Sequence, residues 1–306
     1  MKTLTELTGD TEVTSWIPAD YYADLILEAS VCYGQLSGVV TAIDYDAAQG
    51  SGGIVQVRYV PARTAQGPLG MCGCLTATST TLGTYPITIS PYGDYDEQCA
   101  FSLWKAQGPV KDKILNEMAK GLAHKRDEDI WTAIVGATPG YTYTSAASVL
   151  CTAPTYSSCC SLTVDLYNGI VNLKKQMEGG ALHPDYVIMS PTVAAYLYYR
   201  DNGSVPPMAP LTPLLTFGTN GQLMTVAGLK VIESCVASAC TDNAEASSPT
   251  MAVVIDSSRA VGEAWGMRPK FEEERIPYCD KYRETIWMYW GCAAMDTAAI
   301  GHLLNP

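Results

Sequence analysis

Three long stretches of this 306-residue chain carry no charged side chain, and they constrain its fold more than any other feature. Residues 64–93, 130–164 and 202–229 contain no Asp, Glu, Lys or Arg. All three are rich in Gly, Pro, Ser, Thr, Tyr or Ala, so we predict that they are mostly loop. A loop that faces water has no physical reason to exclude every charge, whereas the cores of protein interfaces are depleted of charge. The sequence therefore indicates a subunit that is covered by copies of itself.

The composition is that of a globular protein that does not hold nucleic acid tightly. Hydrophobic residues make up 47% of the chain and charged residues 16%, and the formal net charge is −12. A protein that grips phosphates carries the opposite sign. Residues 1–16 lack the apolar segment of a secretory signal. The apolar stretch Thr285–Leu304 contains Asp296 and His302, so we predict a buried terminal strand there rather than a membrane helix.

Eleven cysteines leave three interpretations open. The first is a set of buried thiols that behave as small hydrophobic side chains. The second is disulfides that form after assembly. The third is a zinc site, although the spacings Cys72-Gly-Cys74 and Cys159-Cys160 lack the gaps of structural zinc sites.

A long hairpin with almost no charge in its tip is predicted in the first third of the chain. Residues 54–60 alternate, with Val55, Val57 and Tyr59 on one face, and residues 85–90 provide the return strand. The connection 61–84 is longer than an ordinary hairpin loop, and loops of that length are usually functional or disordered. Its near-absence of charge disfavours a solvated, disordered loop.

The clearest helix is residues 109–134. Apolar residues recur along it at helical spacing: Ile114, Met118, Leu122, Ile130 and Ile134. We predict that the opposite, solvated side carries Lys111, Lys113, Lys120, His124, Lys125, Asp127 and Glu128. At 1.5 Å per residue such a helix is about 39 Å long, so it can act as the spine of a domain.

Residues 163–255 are predicted to form a compact α/β module. The predicted order is a helix at 164–177 that ends at Gly179-Gly180, a strand at 186–190, a helix at 191–199, and strands at 228–233 and 251–256. The chain contains none of the common nucleotide-binding, metalloprotease or serine-hydrolase motifs, and only three histidines. A cysteine-dependent soluble enzyme stays open, since a Cys–His pair forms in space rather than in sequence.

This order of elements resembles the Hong Kong 97-type major capsid protein of tailed double-stranded DNA viruses. The resemblance is carried by Gly53–Ser90 for the extended E-loop, Pro109–Ile134 for the spine helix, Leu182–Pro191 with the later strands for the A-domain, and the run through Tyr289-Trp-Gly291 for the closing P-domain strand. It implies an α+β fold with an N-terminal arm at 1–45, an E-loop at 46–100, a P-domain with the spine helix at 101–160, an A-domain at 161–256 and P-domain return strands at 257–306.

The resemblance implies a structural protein that is not an enzyme. Its copies would form the hexamers and pentamers of an icosahedral shell around double-stranded DNA, without cofactor, metal or membrane. The protein would be made in the host cytoplasm and reside in the virion, with scaffold, portal and decoration proteins as further partners. An encapsulin-like nanocompartment, which shares the fold, and the cysteine-dependent enzyme are the alternatives.

The resemblance also implies candidate contacts between subunits. Arg58 and Arg63 are the only charges between Asp46 and Asp94, and a neighbour's Glu272, Glu273 and Glu274 are their expected partners. No lysine lies between Arg63 and Lys105, so the family's Lys–Asn cross-link is not expected at the E-loop tip. Cys72 and Cys74 are better placed there to reinforce the shell through inter-subunit disulfides.

Overall fold

The computed structural model describes residues 34–43, 53–59, 83–100, 110–145, 156–198, 215–217, 223–237 and 250–305. The helices in these ranges are α1 (Val110–Gly136), α2 (Tyr156–Gly179) and α3 (Pro191–Tyr198), with short 3-10 helices at Leu36–Val39 and Thr297–Ala299. The strands are β1 (Thr41–Ile43), β2 (Ile54–Tyr59), β3 (Gly83–Thr88), β4 (Ser90–Cys99), β5 (Tyr141–Thr144), β6 (Tyr186–Met189), β7 (Leu215–Phe217), β8 (Leu223–Val226), β9 (Leu229–Glu233), β10 (Thr250–Ile255), β11 (Val261–Ile276), β12 (Lys281–Ala294) and β13 (Ile300–Leu304).

One sheet has four strands in the order β1-β11-β12-β4. Its centre is a long antiparallel hairpin of β11 and β12, and β4 pairs along β12 from Ser90 opposite Trp290 to Cys99 opposite Lys281. Because side chains alternate across a strand, even-numbered residues of β12 from Glu284 to Trp290 are buried, while Trp287 and Tyr289 point to the other, exposed side. The predicted terminal strand in Thr285–Leu304 is confirmed by β12 and β13.

Helix α1 packs on the buried side of this sheet. Met118 and Leu122 of α1 form a cluster with Ile286 and Met288 of β12. The predicted spine helix and its apolar face are therefore confirmed. The prediction that Lys120 and Asp127 lie on a solvated side is wrong, since both are buried.

The predicted hairpin is confirmed by the antiparallel pairing of β2 with β3, from Ile54 opposite Thr88 to Tyr59 opposite Gly83. Its root lies against the four-stranded sheet, where a Cβ on Gly291 would clash with the Thr88 carbonyl oxygen. Only glycine permits that close backbone approach. Most of the predicted connection, residues 60–82, lies outside the described residues, as do the arm residues 1–33.

The second sheet has seven strands in the order β5-β13-β10-β6-β9-β8-β7. All six residues of β10 are buried, as expected for a strand covered on both faces. Helix α2 covers β5 and β13, and Leu173 and Met177 reach Gly301 of β13. The predicted helices and strands of the α/β module at 163–255 all recur, with α2 beginning earlier than expected.

The end of α2 is a left-handed cap. The Leu182 N–H donates to the Met177 carbonyl at 3.1 Å, and the Ala181 N–H donates to the Glu178 carbonyl at 3.0 Å. This is the Schellman pattern, which places Ala181 at φ 61°, a conformation that favours glycine.

One sequence expectation needs correction. The charge-free stretch 130–164 is not mostly loop in its described part, because it holds the end of α1, β5 and the start of α2. It lacks charge because it builds the core: Ile130 and Ile134 are fully buried. Strands β5 and β13, from the ranges 101–160 and 257–306, join the seven-stranded sheet.

Candidate inter-subunit surface

The side of the four-stranded sheet that faces away from α1, here called the outer face, carries three exposed aromatic side chains. Tyr95 of β4 and Trp287 and Tyr289 of β12 have exposed fractions of 67%, 42% and 43%. Single exposed apolar residues are ordinary, but a contiguous set is typical of a surface that another molecule covers. The outer face is thus the strongest candidate for an interface in the described part of the chain.

A pocket of about 430 Å³ opens on the outer face between β4, β12 and the end of β11. The indole of Trp287 forms one wall and lies directly on the backbone of Gly93, where an added Cβ would be 2.5 Å from the ring. The absence of a Cβ on Gly93 therefore leaves room for the indole against the strand. Tyr95 and Thr285 complete the lining near this wall.

The pocket carries more acid than base. Glu97 accepts two hydrogen bonds from Arg283, at 2.9 Å from Nε and 2.6 Å from Nη2. The Glu274 carboxylate lies 3.9 Å from Arg283 Nη1, which is beyond hydrogen-bond distance. The lining therefore contains two carboxylates, those of Glu97 and Glu274, beside one guanidinium.

The three predicted acidic contacts are exposed on β11, but they do not form one site. Glu274 lines the pocket. Glu272 forms an ion pair with Lys270 at 2.7 Å. Glu273 lies opposite Glu284 in the register of β11 with β12, on the side of the strand opposite to its two neighbours.

The predicted partners of these residues are described only in part. Arg58 belongs to β2 and lies opposite Thr84, but its side chain is outside the described part of the structure. Arg63, Cys72 and Cys74 lie outside the described residues. Their contacts across subunits stay predictions.

On the face of the sheet that α1 covers, a hydrogen-bonded ion pair fixes the helix. Arg126 of α1 donates to Glu263 of β11 at 2.6 Å, and the Trp290 indole N–H donates to the same carboxylate oxygen at 3.1 Å. The guanidinium also lies 5.2 Å from the centre of the Trp265 ring. A buried carboxylate is tolerated when it has such partners, and here they lock the helix to the sheet.

Neighbouring residues of α1 fasten two further elements. Asp127 accepts hydrogen bonds from the backbone N–H groups of Gln35 and Leu36, at 2.8 and 3.2 Å, and so caps the 3-10 helix. Burial raises the pKa of the Asp127 carboxyl, while these two bonds oppose the shift. Asp129 accepts a hydrogen bond from the Tyr92 hydroxyl of β4 at 2.7 Å. One turn of α1 thus ties together three parts of the subunit.

The described cysteines include both thiols and a disulfide. Cys99, Cys279 and Cys292 are free, whereas Cys235 is disulfide-bonded. Burial, reinforced by the carboxylates of Asp129 and Glu263, raises the pKa of the Cys292 thiol to about 12. Cys292 is therefore a neutral thiol at physiological pH and a poor nucleophile.

Among the described residues, no group of three or more His, Cys, Asp or Glu side chains is arranged to hold a metal ion. In that same part of the chain, no helix combines the length and apolar character needed to cross a membrane. His302 is buried, with Nε2 3.2 Å from the Ile134 carbonyl oxygen, and burial lowers its pKa.

The aromatic outer face is not among the features predicted from the sequence, although the sequence contains a signal for it. The run Thr285–Gly291 is apolar at odd and even positions alike, whereas a strand with one solvated face alternates with polar residues. A strand that is apolar on both faces needs a cover on both. In the described part of the chain, α1 covers one face of β12 and the hairpin root covers part of the other near Gly291, which leaves Trp287 and Tyr289 exposed.

Comparisons with known proteins agree with this architecture. Residues 104–300, more than half of the chain, match the family model described as phage capsid protein. No curated protein matches the chain significantly in sequence. Solved structures with a similar fold include the capsid of the cyanophage P-SCSP1u, at 16% identity over 92% of this chain and 94% of that chain, with a TM-score of 0.62.

Two further solved structures show the same fold. The mature capsid of bacteriophage PhiM1 is 13% identical over 91% of this chain and 89% of that chain, with a TM-score of 0.63. The capsid of an empty GTA particle is 12% identical over 95% of this chain and 98% of that chain, with a TM-score of 0.59. The chain therefore belongs to the phage capsid protein family and has the Hong Kong 97-like capsid fold.

Proposed function

We propose that the chain is the major capsid protein of a tailed phage and that its copies form the hexamers and pentamers of an icosahedral shell around double-stranded DNA. The family match and the shared fold support the capsid role. The observation that carries the assembly is the outer face of the four-stranded sheet, where Tyr95, Trp287 and Tyr289 are exposed. Its role is structural rather than enzymatic.

The charge of the chain is consistent with a container for DNA. A net charge of −12 disfavours tight contact between the wall and phosphates, so packaged DNA stays free to move and leave. The protein is made in the host cytoplasm and resides in the virion. Scaffold, portal and decoration proteins are its further partners.

The first test is the mass of the natively purified protein, measured by light scattering together with negative-stain microscopy. We expect closed shells in the megadalton range, and double-stranded DNA in shells from infected cells. Shells that hold protein cargo and no genome would replace the phage function by that of an encapsulin-like compartment. A stable monomer or dimer, even with the neighbouring viral proteins co-expressed, would refute the shell.

Contacts of the hairpin arginines with a neighbour are part of this proposal. Arg58 and Arg63 are expected to form ion pairs with the acidic run Glu272–Glu274 of the next subunit, because an arginine fork binds carboxylates well at interfaces. Replacing both by alanine is expected to lower the yield of shells and to change its salt dependence. Unchanged yield and unchanged salt dependence would eliminate these contacts.

Disulfides between subunits are the proposed reinforcement. Cys72 and Cys74 are the candidates, since they lie in the long connection of the hairpin. A non-reducing gel of purified particles is expected to show covalent oligomers that collapse to monomer with a reductant. The Cys72→Ser, Cys74→Ser double variant should abolish them, and a gel with monomer alone would remove the hypothesis.

A further inference from the structure

The pocket on the outer face has the chemistry of a site for an organic cation. An indole wall accepts a cation over its face within about 6 Å, and guanidinium is a frequent partner. Arg283 engages Glu97 directly, but Glu274 lies beyond hydrogen-bond distance of it and keeps acceptor capacity. A planar guanidinium can stack on an aromatic ring and fork onto a carboxylate at once, which an ammonium cannot do.

We propose that this pocket receives the side chain of Arg63 from a neighbouring copy of the chain. The inference rests on the proposed shell, and it assigns one arginine to one pocket. Only two segments outside the described residues, 60–82 and 101–109, carry a cation and no acidic residue. Their cations are Arg63 and Lys105, and the aromatic wall favours the arginine.

The register of the hairpin explains why Arg63, rather than Arg58, is assigned to the pocket. Arg58 lies inside the paired stem, opposite Thr84, whereas Arg63 lies four positions after Tyr59, the last residue of the described pairing. A position within the paired stem would bring the adjacent strand against the walls of the pocket, so we assign the pocket to the arginine outside the described pairing.

The position of the pocket indicates that the arginine comes from another copy. None of the pocket lining belongs to β2 or β3. The hairpin of the same chain is rooted over Gly291, towards the end of β12, whereas the pocket lies beside Arg283–Trp287. The uncharged surroundings of Arg63 suit the aromatic outer face, and the arginine offsets the excess of carboxylates in the pocket.

The direct test is photo-cross-linking in assembled particles. Tyr95 lines the pocket and is well exposed, so Tyr95→p-benzoylphenylalanine places a reactive aromatic group there. We expect a covalent dimer after irradiation, with mass spectrometry locating the cross-link within residues 59–68 of the second copy. Cross-links to any other segment, or to a different protein, would overturn the assignment.

A double-mutant cycle tests the pairing energetically. Arg63→Ala and Trp287→Ala are each expected to raise the subunit concentration needed for assembly about tenfold, and the double variant little more than either. Lys105→Ala is the matched control and should leave this concentration unchanged. Additive effects of the two changes, or an equal loss in the Lys105 variant, would contradict the pairing.

Binding of a peptide to the unassembled subunit tests this inference independently of shell formation. A labelled peptide of residues 60–70 should bind the unassembled subunit, measured by fluorescence anisotropy, at least tenfold more tightly than the same peptide with Arg63→Ala. Glu274→Gln should weaken that binding, and Glu273→Gln should not. If the peptide binds in this way while no shells form, the shell fails and the pocket stands. Shells that form without this discrimination would remove the pocket and leave the capsid function intact.

Discussion

The two large sheets of the subunit differ in how their faces are covered. In the seven-stranded sheet, the interior strand β10 is buried at every position. In the four-stranded sheet, α1 covers one face, while Tyr95, Trp287 and Tyr289 remain exposed on the other. The first sheet therefore contributes to the stability of the single subunit, and the second divides its apolar surface between folding and association. One strand, β12, therefore contributes to folding and to association with alternate side chains.

The largest expected contrast is between two tryptophans of β12. Trp290 is fully buried and donates to Glu263, so Trp290→Ala should lower the free energy of unfolding by about 3–5 kcal/mol. Trp287 lies on the outer face, so Trp287→Ala should cost the isolated subunit about 1 kcal/mol or less but strongly reduce shell formation. Urea unfolding of the unassembled subunit and particle yield measure the two effects. Equal losses of stability would break the comparison between the faces.

Loss of the Asp127 cap should have the next largest effect. Asp127→Ala leaves the buried N–H of Leu36 and the half-buried N–H of Gln35 without their acceptor, which costs about 2–4 kcal/mol in unfolding free energy. Asp127→Asn keeps one acceptor oxygen and should lose less. Faster hydrogen exchange at residues 34–39, with little change in β10, would show that the four-stranded side opens by itself. Uniform loss of protection across both sheets would argue for one cooperative unit instead.

The buried His302 connects the seven-stranded sheet with α1, because it lies on β13 and contacts the last turn of that helix. Burial lowers its pKa, so the unfolded chain binds a proton first as the pH falls below the ordinary value of about 6.5. Its contribution to stability is therefore complete above that pH and is lost as the pH falls towards the lowered pKa, by at most about 1.4 kcal/mol per pH unit. Unfolding midpoints of the wild type and of His302→Gln, measured from pH 7.5 to 5, should converge at low pH. A constant difference between them would exclude this histidine as the source.

The smallest expected change is an increase in the stability of the subunit. Ala181 is held at φ 61° at the end of α2, so Ala181→Gly should remove strain and raise the unfolding free energy by about 0.5–1 kcal/mol. The thermal midpoint of the unassembled subunit measures the gain. Because α2 packs on the seven-stranded sheet, shell formation per folded subunit should be unchanged. A loss of stability would show that Ala181 has packing that glycine lacks.

Periodic patterns explain which elements could be predicted from the sequence. The hairpin, α1 and the strands of the α/β module each have a regular spacing of apolar residues, and each recurs in the structure. Strand β4 could not be predicted in this way, because Ser90–Cys99 contains Pro, Gly and four acidic or amide side chains. It is a strand because it pairs along β12, and that partner is nearly two hundred residues away.

Buried charged residues are the second feature that could not be predicted from the sequence. Asp127 belongs to a run of charged residues on α1, which favours a solvated side in any helical projection. It is buried because the N–H groups of Gln35 and Leu36 reach it from a distant segment. The pocket could not be predicted from the sequence either, because it depends on the register that brings Gly93 opposite Trp287.

The alternation along β12 has a genetic consequence. In a saturation mutagenesis of residues 284–290 with selection for infectious particles, sensitivity should be high at both odd and even positions, so a single readout would make the strand look uniformly intolerant. A parallel selection for soluble subunit would distinguish the odd positions from the even ones. Even positions would fail both selections, while Trp287 and Tyr289 would fail only the first. Variants at these two positions are then the natural sources of dominant-negative subunits, because a folded chain that cannot be covered by its neighbour still competes for a place in the shell.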